Sequence, residues 1–181
     1  MSTPAASGIH WDEVRTLFEE DPERGETLPD IYVRGLTDAQ IVALHEWLTA
    51  QSCIPADAQA WDRHRECNVA LVDVARPALA FVAGDLETFR HPLPGLAVDG
   101  AVLPLLTVCL EPDGLSFDYP TGQAWGMTEV LSLFELLHRI QQQAPQARIY
   151  RTDEGAMERP TPAFSAAWER YRAARAAESG R

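Results

Sequence analysis

Residues 106–122, LTVCLEPDGLSFDYPTG, constrain the fold more than any other stretch of the chain. Leu106, Val108 and Leu110 alternate with Thr107, Cys109 and Glu111, and Leu115, Phe117 and Tyr119 alternate with Ser116 and Asp118. A period of two belongs to strands with one face buried. Between the two runs stand Pro112, Asp113 and Gly114, in which proline presets φ, aspartate tolerates the bend and glycine supplies a positive φ. The pattern predicts a β-hairpin and therefore an antiparallel sheet, with Thr107, Glu111, Ser116 and Asp118 on its solvated face.

The flanking patterns supply further elements. WDEVRTLFEED sets Trp11, Val14, Leu17 and Phe18 at helical spacing, a short acidic helix ended by Pro22 and Gly25. In LPDIYVRGL, Ile31 and Val33 face one way and Tyr32 the other, as in a strand. Thr37 and Gln40 fit a capping box opening a helix that runs to about Gln51, with Ile41, Leu44, His45 and Leu48 on its apolar side and Trp47 at the edge. CNVALVDV and PALAFVAG read as two largely buried strands, and HPLPGLAVDG as an irregular crossover in which residues 96–98 could add a short strand. Thr128 is a candidate N-cap for a helix ending near Gln143, with Val130, Leu133, Phe134, Leu137 and Ile140 as its core stripe. ARIYR follows as a strand, TDEG as a turn, and an alanine-rich helix from Pro162 to about Glu178 carries Phe164, Trp168 and Tyr171. Those aromatics either dock the tail or meet a partner.

This order predicts a single-domain α+β fold, a largely antiparallel sheet covered by two main helices with additional helices at both ends. Residues 1–27 form an acidic N-terminal arm with its short helix, residues 28–155 the α+β domain and residues 156–181 a C-terminal helical tail. A βαββαβ core can be drawn from the strand at Ile31, the capped helix, the hairpin, the helix near 128–143 and ARIYR, with residues 53–100 as an insertion.

Charge narrows the partners. The formal net charge is −12, and residues 148–181 carry 7 Arg against 5 acids, which leaves −14 on residues 1–147. Such a field repels nucleic acid and anionic membranes and favours a basic protein partner. No lysine occurs, so all 15 basic residues are arginine, a bias shared with the abundant alanine and expected from GC-rich codons. Three cysteines without paired spacing suggest reduced thiols, no apolar run approaches the roughly 18–20 residues of a membrane span, and no basic leader precedes one. A cytoplasmic protein is expected, with no cofactor; its oligomeric state is open.

Two candidate sites follow. In WDRHREC, His64 and Cys67 are three apart and would share a face on a helical turn, and Asp73 interrupts the apolar run NVALVDVA, where burial would raise its pKa toward that of a general acid. Cys67, His64 and Asp73 thus form the enzyme alternative, with Arg76 as a counter-charge for Asp73 on a buried strand and solvent in its place on an edge. Metal binding would need a third ligand, and only Cys53 is at hand, so no metal is expected. Cysteines of this kind more often pack than react. The phosphate loop, the G-x-S-x-G elbow and H-E-x-x-H are absent. The other candidate is a partner-binding surface, with exposed Tyr119 or Trp125 as anchors and Asp113, Asp118, Asp153 and Glu154 at the rim. In general character, small, acidic and without a catalytic signature, the chain resembles bacterial inhibitor and immunity proteins, a resemblance of class that implies a binding module occluding a basic partner.

Overall fold

Alternation in the strand around Ile31 turns Ile31 and Val33 into the core and Tyr32 away from it. The computed structural model describes residues 8–23, 25–155 and 159–179. In chain order the elements are α1 (Trp11–Val14), continued by a 3-10 turn (Arg15–Leu17); β1 (Asp30–Arg34); α2 (Asp38–Ala50); β2 (Gln59–Asp62); β3 (Cys67–Ala70); a 3-10 turn (Leu71–Asp73); and α3 (Pro77–Val82). There follow β4 (Arg90–Pro92), β5 (Ala97–Val98), β6 (Ala101–Val102), β7 (Thr107–Glu111), β8 (Gly114–Asp118), α4 (Met127–Gln143), β9 (Arg148–Thr152) and α5 (Pro162–Ser179).

Five strands form one antiparallel sheet in the order β4-β7-β8-β1-β9. Without the edge strand β4, its chain order is βαββαβ with β8 between β1 and β7, the split βαβ arrangement. The fold is thus a single-domain α+β sheet. On its inner face Ile31, Val33, Val108, Leu110, Leu115 and Phe117 are all fully buried. The apolar stripes of α2 (Ile41, Leu44, Leu48) and α4 (Val130, Leu133, Phe134, Leu137, Ile140) are buried in the same core.

Local chemistry explains the helix boundaries. Thr37 accepts from the Gln40 amide, and Gln40 reaches back to the Thr37 amide at 3.0 Å, the expected capping box. For α4 the N-cap is Gly126 and not Thr128: Glu129 accepts from the Gly126 amide at 3.0 Å and so satisfies one donor that the helix start leaves open. The terminal helix docks by its aromatics, since Phe164, Trp168 and Tyr171 pack on Phe134 with ring centroids 5.4, 5.9 and 5.6 Å away. Burial of such rings contributes roughly 1.5–3 kcal/mol each.

The segment between α2 and β7 departs most from expectation. PALAFV is the helix α3, not a strand; proline at its first turn is preorganised for a helix and loses no hydrogen bond there. CNVALVDV is a strand only over Cys67–Ala70 and then turns 3-10. It pairs with β2 in a separate two-stranded ribbon, and Cys67, Asn68, Val72 and Asp73 are exposed rather than buried. The crossover does add strands: β4 at the sheet edge, and the small β5–β6 ribbon. Among the described residues no helix is long and apolar enough to cross a membrane.

Candidate functional site

The residues that alternate with the buried ones meet on the outer face of the sheet. The register places Asp30 beside Asp118 and Thr152, Tyr32 beside Ser116 and Tyr150, and Arg34 beside Gly114 and Arg148. Thr107, Cys109 and Glu111 of β7 and Arg90 of β4 extend the same face. The side chains form contacts within the face. Tyr32 and Tyr150 stack with centroids 5.3 Å apart, and the Arg34 guanidinium lies 4.6 Å from the Tyr32 centroid. Arg34 also pairs with Glu111 and, at 2.8 Å, with Asp113; Ser116 donates to Glu111 at 2.6 Å, and Arg90 donates to Asp118 at 2.7 Å. Tyr32, Tyr150, Thr107 and Cys109 remain partly exposed.

Asp30 differs from its neighbours. Among the described residues its carboxylate receives no hydrogen bond or ion pair. Burial, then the charges of Asp118, Glu111 and Glu154, raise its pKa, and Arg90 opposes them. Burial is the larger cause and the neighbouring carboxylates add to it, so a cation placed beside Asp30 would offset both. The same field, after burial, raises the Tyr32 pKa through Asp30 and Glu111.

The expected solvated face of the hairpin is therefore a half-sealed polar surface: Ser116 is 5% exposed, and Asp118 and Glu111 are held by arginines. Asp113 and Asp118 lie on or beside it, and Asp153 and Glu154 follow the end of β9 near Asp30. Asp153 pairs with buried Arg151, and Glu154 accepts from the Leu28 amide at 3.4 Å. The expected anchors do not join them. Tyr119 is 0% exposed and Trp125 4%, so neither is an exposed contact. Tyr119 donates to the Leu17 carbonyl at 3.1 Å, accepts from Arg151 at 2.8 Å and stacks on Phe18, while the Trp125 indole donates to the Pro120 carbonyl at 2.8 Å. Tyr119 follows the inward parity of Phe117, Trp125 enters the core from the loop between β8 and α4, and the polar atoms of both are satisfied there. Asp30, Tyr32 and Tyr150 were the missed members of the face; the opposite parity of Ile31 and Val33 was the signal that marks Asp30 and Tyr32.

The three residues of the enzyme alternative do not converge. His64 sits in the β2–β3 turn, not on a helix, and its Nε2 lies 2.9 Å from an Asp85 carboxylate oxygen. His64 and Asp73 line one open depression with Asp62 and Asp85, and Cys67 is not among its lining residues. Asp73 is exposed on a 3-10 turn and not buried within a strand, and Arg76 pairs instead with Glu46 at 2.7 Å. Cys53 and Cys67 are exposed, against the expectation of packed thiols; Cys109 is partly buried, and burial pushes its pKa up to about 11. Among the described residues no group of three or more His, Cys, Asp or Glu is placed to hold a metal ion.

No protein-family model matches the chain, and no curated protein matches it. Among solved structures, one chain of the crystal structure of the toxic C-terminal tip of CdiA from Pseudomonas aeruginosa in complex with immune protein is similar to it. The two share 19% identity at a TM-score of 0.43, over 76% of this chain and 98% of that chain.

Proposed function

We propose that this chain is an acidic protein-binding module of the inhibitor or immunity type, acting in a bacterial cytoplasm by occluding a basic site on a partner protein. One observation carries the proposal: Asp30 stands without a hydrogen-bond or ion-pair partner among the described residues on a partly exposed sheet face that also carries Asp118 and Glu111, whose charges, with that of Glu154, act on it. The −12 formal charge of the chain extends that local field to long range, where it speeds encounter with a basic surface and discourages acidic ones. A binding role also needs no convergence of nucleophile, base and orienting group, which His64, Cys67 and Asp73 lack.

The test is affinity capture from the native host's lysate at low and at moderate salt, with bound proteins identified by mass spectrometry. A single basic protein retained at low salt and released as salt rises is the expected result. Retention of acidic or neutral proteins without salt dependence would remove the electrostatic basis of the proposal.

A further inference from the structure

We infer that the outer face of the sheet is the docking surface, and that it takes an arginine of the basic partner with its guanidinium on the Tyr32–Tyr150 pair and its donors on Asp30. This assignment rests on the basic-partner reading above and adds to it the face, the recognised side chain and the residues that receive it.

Three observations converge. First, the face already holds a guanidinium in the proposed manner, because Arg34 lies over the Tyr32 ring. A planar, weakly hydrated cation is well suited to such a ring, and an ammonium less so. Second, the carboxylates nearest the tyrosines are already engaged, Glu111 by Arg34 and Ser116 and Asp118 by Arg90, whereas Asp30 accepts nothing from the described residues. Asp30 and Tyr32 are two residues apart on one strand and project from the same face, about 7 Å from each other. One arginine side chain can stack on the ring and reach the carboxylate across that span. Third, the charge around Asp30 itself favours a cation, because three carboxylates act on it against the single opposing charge of Arg90. Asp30 feels Asp118, Glu111 and Glu154 as repulsive neighbours, so a second copy of this face or a nucleic-acid phosphate would add like charge to it.

The test uses the whole chain, labelled with nitrogen-15, at low salt. It is titrated by NMR with a peptide of alternating arginine and serine, and separately with the matching peptide of lysine and serine. The expected result is that the arginine peptide shifts the amide signals of Asp30, Tyr32, Ser116, Asp118 and Tyr150 and binds about fivefold more tightly than the lysine peptide. Asp30→Asn and Tyr150→Leu, whose folding the same spectra verify, should each weaken the arginine peptide about fivefold. Shifts confined to acidic residues elsewhere, such as Asp12, Glu19 and Glu20, would overturn the assignment and leave the basic-partner reading standing. No shift with either peptide would overturn both. Broadening of the face with protein concentration alone would show that a second copy occupies it, and would overturn the assignment as well.

Discussion

The Nε2 atoms of His45 on α2 and His91 on β4 lie 3.0 Å apart in the core, and each residue is 1% exposed. His91 Nδ1 is 2.9 Å from the Pro92 carbonyl, which can only accept, so Nδ1 carries the proton and His91 Nε2 accepts from His45. His45 Nδ1 is then a bare acceptor, buried with no partner among the described residues. The hydrogen bond needs a bare His91 Nε2, and burial disfavours a charge on either ring. Burial lowers both pKa values, that of His45 to about 4 with a further contribution from His91.

Acid should therefore weaken the fold before most carboxylates titrate. A histidine with a depressed native pKa binds its proton first in the unfolded state, so its contribution is complete above pH 6.5 and fades as pH falls toward about 4. The full contribution is on the order of 3 kcal/mol. Urea denaturation between pH 7.5 and about 4.5 should show stability falling with acid in the wild type and falling less in His45→Gln. Parallel curves for the two proteins would contradict the assignment.

Gly114 should not tolerate a side chain. A Cβ at this position would lie 1.9 Å from the Val33 carbonyl oxygen, a backbone atom that cannot move aside. Gly114→Ala should cost at least about 2 kcal/mol in a denaturant titration and disturb the β1–β8 register. A loss below about 0.5 kcal/mol would mean the strands can separate there without penalty.

Glu135 ties α5 to α4. Its carboxylate accepts from Tyr171 at 2.8 Å, from Arg175 at 2.9 Å and from Arg139 at 3.0 Å, and its side chain is 8% exposed. Glu135→Ala leaves three donors at the helix interface short of an acceptor and should cost roughly 2–3 kcal/mol. Hydrogen exchange should report the change in α5 first, ahead of the sheet. Uniform acceleration across all elements would show that α5 has no separate hold.

The thiols should divide by exposure. Cys53 and Cys67 should react readily with a thiol reagent in the native state, and Cys109, partly buried with its pKa pushed up to about 11, should react only on unfolding or slowly. Two fast equivalents followed by one slow one is the expected count. A single hyperreactive Cys67 would revive the enzyme alternative.

Much of the fold was legible because its signals were local. Period-two alternation located the hairpin and β1, and the Thr37–Gln40 box located the start of α2. What failed depended on distant contacts. PALAFV is as apolar as a strand, and only the proline at its start favours the helix it forms. Gly114 was read as a positive-φ turn residue, but it pairs within β8, and its small size is required by Val33 on a strand some eighty positions away. The candidate face was half legible: Asp118 and Asp113 were marked by the hairpin, whereas Tyr150 joins Tyr32 only through the β1–β9 pairing, which no local pattern encodes. Tyr119 and Trp125 misled because aromatics beside a loop serve as readily in a core as on a surface.

The most direct test of the central claim is the association rate of the captured partner with the wild type and with Asp30→Asn, measured across ionic strength by stopped-flow. A rate that falls steeply with salt in the wild type, with the variant slower at low salt and dissociating faster at every salt, is the predicted result. Rates that are independent of salt and identical for the two proteins would contradict an acidic sheet face as the binding surface.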